Sequence, residues 1–269
     1  MIFGWLRRRR RRKLRAVPFP PAWLAILEQR VAHWHYLDDA ERAELQFLIQ
    51  VFVAEKEWEG CGGLEITDDI RVTVAGLACL LLLRLEEHDY YRNVRSILVY
   101  PSTIAAPSNG AGPGFRSDGR VPVLGQAMLR GPVILVWDAV LRGAAHPERG
   151  QNVAYHEFAH KLDMLDGVID GTPQLGDRVH LRRWIEVCTR VYEDLVDRTE
   201  KRKGAFLDKY GATNVAEFFA VATEYFFNKP MQLQKKRPQL YELFDDFYHQ
   251  DPASREKRFR QRQRSAQDE

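Results

Sequence analysis

Cysteine is scarce in this chain: 269 residues include only Cys61, Cys79 and Cys188. The set is odd in number, widely spaced and without a CxxC pair, which excludes a disulfide framework or a cysteine-built zinc site. Such sparse cysteine fits a reducing compartment. Long apolar runs are also missing. The longest, residues 72–83, falls short of the ~20 residues needed to cross a bilayer. A secretory leader is not indicated either, because apolar residues 1–6 precede a block of arginines and no apolar stretch follows it. The expectation is a cytoplasmic protein with no membrane span. No internal repeat is visible, so a solenoid is excluded.

The formal net charge of +3 conceals an uneven distribution. Residues 1–16 hold eight basic side chains (Arg7 to Arg12, Lys13, Arg15) and no acid, and residues 255–269 hold six basic against three acidic. Removing those +8 and +3 contributions leaves the body at −8. An acidic body argues against a specific nucleic-acid-binding domain, which concentrates positive charge on its folded part. Residues 1–17 and 253–269 are therefore expected to be charged, disordered tails. The first, with Ile2, Phe3, Trp5 and Leu6 beside its arginines, is suited at most to weak association with a membrane surface. Between them, residues 18–252 read as one domain: 45% hydrophobic and 11% aromatic content is enough for a sizeable core.

Helical periodicity marks residues 22–32 and 38–59, the latter through Leu45, Leu48, Ile49, Phe52 and Val53. A buried helix follows the capping cluster Thr67-Asp68-Asp69 and runs through residues 77–83. Strands are expected at 96–100 and 132–137. Between them lies an irregular Gly/Pro/Ser/Ala-rich stretch, 101–131, with a weak strand at 120–124. An edge strand and a long loop of this kind could hold an extended peptide by strand addition. Further helices fit residues 177–201, 213–228 and 235–250. The fold class expected is α+β, mainly helical with a small β-sheet.

Chemistry concentrates at His156-Glu157-Phe158-Ala159-His160, an HExxH motif within the helix-like run 152–165, which Gly167 is placed to end. Positions i and i+4 share a helix face, so two imidazoles can grip one zinc ion while the intervening glutamate holds the attacking water. Asp163 points to the same side and is suited either to fixing an imidazole tautomer or to being an ordinary carboxylate. A catalytic zinc normally has three protein ligands and one open position. The metzincin pattern is excluded, because Asp163 and Asp166 stand where its glycine and third histidine would be. His180 and His249 remain, but a carboxylate from a later helix is the better candidate. Glu217 and Glu224 both lie on an apolar segment, two turns apart and on one face, where a carboxylate is costly unless paired or metal-bound. Glu217 has a local explanation, since Asn214 to Glu217 fits a capping box. Spacing alone does not choose between them.

The run from His156 to Gly167, with Ala216-Glu217-Phe218-Phe219-Ala220-Val221 and Glu224-Tyr225-Phe226-Phe227, resembles the Mlc titration factor A family of bacterial zinc metallopeptidases, whose catalytic region is similar to that of anthrax lethal factor. The opening Pro18-Phe19-Pro20-Pro21-Ala22-Trp23 and the ending Phe247-Tyr248-His249-Gln250-Asp251-Pro252 extend the likeness over nearly the whole chain. The resemblance implies a zincin-like metalloprotease domain holding one Zn2+ through His156, His160 and Glu217, with Glu157 as general base. It also implies Tyr210, seven residues before Glu217, as the oxyanion-stabilising hydroxyl. The activity implied is aminopeptidase or endopeptidase cleavage of a peptide or protein substrate, with a regulatory role through binding an Mlc-like transcriptional repressor. The alternative is a non-catalytic protein that sequesters such a repressor, its zinc site structural or vestigial.

Overall fold

The computed structural model describes residues 2–85, 89–102 and 131–265. The irregular stretch expected between 101 and 131, with its weak strand at 120–124, lies almost wholly outside them. Among the described residues are eleven α-helices and three strands, which is the mainly helical α+β class expected.

Helices α2 (Pro21–Arg30) and α3 (Asp39–Glu55) pack on α4 (Asp68–Leu82), buried from Val72 to its end. Helix α3 starts at a reciprocal cap: Asp38 accepts from the Glu41 N–H at 2.9 Å, and Glu41 accepts from the Asp38 N–H at 3.1 Å. It ends at Glu55 rather than continuing to residue 59. Lys56 is extended, and its ammonium donates to the carbonyls of Tyr90, Tyr91 and Val94 at 2.7, 2.8 and 2.9 Å. That clamp draws the chain alongside residue 96, so Glu57–Gly60 becomes strand β1. Strand pairing thus overrides a helical pattern that the sequence carries without interruption.

β1 pairs in parallel with β2 (Ser96–Tyr100), and β2 in parallel with β3 (Val133–Val136), in the order β1-β2-β3. β3 leads directly into α5 (Trp137–Ala145). Beside β3 runs α6 (Val153–Asp163), with α4 beneath it and α8 (Val215–Asn228) across it. Phe158 of α6 packs on Phe52 and Tyr91, while Tyr155 packs on Phe227 and His33. The long helix α7 (Arg178–Glu200) lays Trp184, Val187, Val191 and Leu195 on the core. α9 (Pro230–Lys236) and α10 (Pro238–Tyr248) close the far side.

The two segments expected as tails are helical over their described parts. In α1 (Ile2–Arg15), the Arg11 guanidinium forks onto both Glu55 oxygens at 2.8 and 2.7 Å and lies over the Tyr90 ring, while Arg10 donates to the Ala54 carbonyl at 3.0 Å. Those partners sit at the C-terminal end of α3, where a helix attracts cations. In α11 (Pro252–Ser265), Arg255 is buried and donates twice to Glu41, at 2.9 and 2.6 Å. A local reading of charge runs misses both, because the carboxylates that anchor them are remote in sequence.

Candidate metal centre

Asn152 caps α6 by accepting from the N–H groups of Ala154 and Tyr155 at 3.1 and 3.2 Å. With the first turn fixed, His156 and His160 stand one turn apart on one face, ring centroids 4.8 Å from each other. Both are buried, as is every residue of the helix. Helix α8 is capped by Asn214, whose Oδ1 accepts from the Glu217 N–H at 2.9 Å. The Glu217 carboxylate points at the histidines, with Oε2 at 2.9 Å from His156 Nε2 and 3.4 Å from His160 Nε2. The two Nε2 atoms are themselves 3.2 Å apart. One candidate ligand atom from each of the three residues lies within 4.8 Å of the others.

Two imidazole nitrogens and a carboxylate oxygen facing one buried point fit a metal ion, because a cation satisfies all three lone pairs at once. Among the described residues Glu217 Oε2 has no neighbouring polar partner besides these two imidazole nitrogens, as suits a ligand atom. Burial pushes the Glu217 carboxyl up, and the two imidazoles more than reverse this, holding it below the usual carboxylate range.

The two carboxylates that spacing left open face different nitrogens of His156. Glu224 is fully buried, and its Oε1 lies 2.9 Å from His156 Nδ1 while its Oε2 accepts from the Asn152 N–H at 2.6 Å. A carboxylate on Nδ1 places the proton there and leaves Nε2 a bare lone pair. Asp163 has a different partner: its Oδ2 accepts from the Gly171 N–H at 3.1 Å. The Gly171 carbonyl accepts from Trp184 Nε1 at 3.1 Å, and a Cβ on this glycine would lie 2.3 Å from the Val215 carbonyl oxygen. Gly171, at φ +72°, therefore knits the ends of α6, α7 and α8 together where no side chain fits.

Glu157 is buried beside the two histidines, its Oε1 without a hydrogen-bond partner in the protein. Burial pushes its carboxyl above the ordinary range, opposed by His156 and His160. One turn later, the buried Lys161 ammonium donates to the Gly131 carbonyl at 3.1 Å, tying the start of β3 to the motif helix. Tyr210 lies in the turn Lys209–Ala212, held by Asp208, which accepts from its N–H at 2.9 Å; its ring centroid is 5.7 Å from that of His156. His180 and His249 do not join the cluster. The first pairs with Asp177 on the surface, and the second ends α10 in a left-handed conformation.

The family described as glucose-regulated metallo-peptidase M90 matches residues 5–249. The chain belongs to the M90 family. Two kinds of M90 relative extend the match. An uncharacterized protein of Synechocystis sp. is 36% identical over 245 residues, covering 90% of this chain and 89% of the relative. Proteins named Mlc titration factor A from Yersinia pestis and Yersinia pseudotuberculosis are 30% identical over 244 residues, covering 86% of this chain and 89% of the relative. A metallopeptidase-type domain with a candidate three-residue metal site is therefore established for this M90 chain. The contact of Glu224 with His156 Nδ1 is the part that sequence reasoning did not assign. Its signal was present, as a second carboxylate seven residues beyond Glu217 on an otherwise apolar helix.

Proposed function

We propose that the chain hydrolyses peptide bonds with one zinc ion held by His156, His160 and Glu217. The observation that carries this reading is the convergence of two buried Nε2 atoms and a buried carboxylate oxygen on one point. A donor set of two imidazoles and a carboxylate suits a catalytic zinc, which keeps a further position open. When bound, the ion supplies Lewis acidity to the scissile carbonyl and to water. Glu157 takes the proton of the attacking water and passes it to the leaving amine. Its burial, which disfavours the ionised carboxylate, favours accepting that proton. The Tyr210 hydroxyl donates to the oxyanion as the carbonyl becomes tetrahedral. Glu224 holds His156 in the tautomer that binds metal. Glu157→Gln is expected to retain zinc, measured by metal analysis, and to lose at least a hundredfold in peptide hydrolysis. Wild-type cleavage by that variant sinks the mechanism. Digestion of matched free and N-acetylated peptides separates aminopeptidase from endopeptidase action.

The printed name of the Yersinia relatives supports a second reading, in which the chain binds an Mlc-like transcriptional repressor. If sequestration is the whole function and the zinc structural or vestigial, Glu157→Gln and metal-free protein will bind a repressor as the wild type does. The repressor-binding reading goes with the cytoplasmic location that the sequence leads one to expect. The protein's three cysteines, free in the structure, suit a reducing compartment, and none of its described helices is long and apolar enough to cross a membrane.

A further inference from the structure

A cleft of about 460 Å3 opens beside the turn that carries Tyr210, lined by Thr199, Arg202, Lys203, Leu207, Lys209 and Tyr225 among others. It adjoins the candidate metal centre through two short covalent paths. Asp208 in its wall is two residues from Tyr210, and Tyr225 in its wall follows Glu224 on α8. The lining sets the three cations Arg202, Lys203 and Lys209 against the one carboxylate of Asp208, whose Oδ2 accepts from Gln151 Nε2 at 2.8 Å and Oδ1 from the Tyr210 N–H.

Arg202, Lys203 and Lys209 form no ion pair among the described residues. Lys229 and Lys236 flank the cleft with their ammonium groups over the Tyr225 and Phe206 rings, at 5.2 and 4.6 Å from the centroids, and those rings meet edge-to-face at 5.2 Å. Burial lowers the Lys229 pKa and the charge of Lys236 lowers it further, against the opposing charge of Glu148. Proximity to helix C-termini accounts for cations at 202 and 203 after α7, at 229 after α8 and at 236 ending α9, but not for Lys209 in the wall of the cleft. Arg202 also occupies a left-handed position, φ +51°, with its N–H on the Thr199 carbonyl and the next N–H on the Arg198 carbonyl. Glycine is the usual residue at that helix-ending position, so a guanidinium is held at the cleft where the backbone favours its absence.

We propose that this cleft binds the carboxylate side chains of an acidic peptide segment and thereby sets the substrate class of the neighbouring site. The word substrate rests on the peptidase reading above; the binding itself does not. A cleft of this volume takes one or two side chains rather than an extended polyanion such as a nucleic-acid backbone. Short acidic segments meet the local charge within that space. The paired aromatic rings offer apolar surface to the methylene groups of glutamate.

The test measures equilibrium binding on the full chain, by fluorescence anisotropy of a labelled, N-acetylated heptapeptide with three glutamates against its isosteric glutamine counterpart. The Glu157→Gln protein is used so that no turnover intrudes. The glutamate peptide is expected to bind about tenfold tighter at low salt, and the difference to shrink at 1 M salt, where the screening length is about 3 Å. The triple variant Arg202→Glu, Lys203→Glu, Lys209→Glu is expected to abolish the preference. Lys229→Gln with Lys236→Gln, removing the cations over the Tyr225 and Phe206 rings, reduces it independently should the triple variant fold poorly. Equal binding of the two peptides, or a preference that survives both sets of substitutions, overturns the proposal. So does displacement of the acidic peptide by a single-stranded oligonucleotide at lower concentration, which assigns the cleft to nucleic acid. Absence of peptide hydrolysis by the zinc-loaded wild type, with the preference intact, overturns the peptidase reading and leaves the cleft's ligand class standing.

Discussion

Replacing Glu224 by glutamine changes one atom's chemistry and almost nothing of the side chain's shape. The carboxylate serves two buried N–H groups, that of Asn152 at 2.6 Å and Nδ1 of His156 at 2.9 Å. A glutamine offers one acceptor oxygen and one NH2 donor. If the oxygen stays on Asn152, the NH2 meets His156 Nδ1, and the imidazole must shift its proton to Nε2, where it blocks a ligand lone pair. If the oxygen turns to His156, the NH2 meets the Asn152 N–H donor to donor, loosening the residue that caps α6. Either outcome removes one charge-assisted hydrogen bond, of order 1.5–3 kcal/mol. Loss of a ligand-orienting partner typically costs 10–100-fold in metal affinity, about 1.4–2.7 kcal/mol. We expect Glu224→Gln to fold, to bind zinc 10–100-fold more weakly in competition with a chromophoric chelator, and to gain correspondingly less thermal stability from added zinc. Zinc affinity within twofold of wild type would refute the assignment of Glu224 as the group that sets the His156 tautomer.

Three further outcomes follow from the packing. His33 is buried with Nε2 on the Phe227 carbonyl at 3.0 Å and Nδ1 against the Tyr155 hydroxyl at 3.2 Å, and burial lowers its pKa from 6.5 to about 4. Between those values the unfolded chain binds the proton and the native chain does not. Stability should therefore fall by roughly 3 kcal/mol as pH drops through that window, and urea titrations at stepped pH should find this component missing in His33→Gln. Gly171→Ala sets a Cβ 2.3 Å from a backbone oxygen at φ +72°, and chemical denaturation should register a loss of roughly 2–5 kcal/mol; a loss under 1 kcal/mol contradicts the close approach. Lys56→Met leaves the carbonyls of Tyr90, Tyr91 and Val94 without their ammonium donor, and the same measurement should show a loss of about 3 kcal/mol.

Helices α3, α4, α7 and α8 were legible in the sequence to within a few residues, because α3 and α7 bury a face that the 3.6-residue period writes directly and α4 and α8 are nearly continuous apolar runs behind a capping residue. Strands β2 and β3 were legible as short β-branched runs. What escaped depends on partners far along the chain. β1 exists because Lys56 binds carbonyls 34 to 38 residues away, and α11 is anchored by a carboxylate 214 residues away. The candidate centre followed the same rule. His156, Glu157 and His160 are adjacent in sequence and were found by spacing, and Glu217 was favoured over Glu224 only by likeness to a family. The geometry separates those two glutamates by which imidazole nitrogen each one faces, and no one-dimensional pattern encodes that.

Asn214 and Glu217 are the ends of a helix-start pattern that α3 completes and α8 does not. In α3 the glutamate returns to the backbone of its cap residue; in α8 only the asparagine half is formed, and the glutamate faces the two histidines. The first turn of α8 and a bound cation are thus rival claimants on one carboxylate. Local folding preference and site geometry are set against each other at this residue: the carboxylate that would close the cap is held among the candidate ligands instead. A cap motif whose acid declines to close it is, in this light, a physical marker of a ligand.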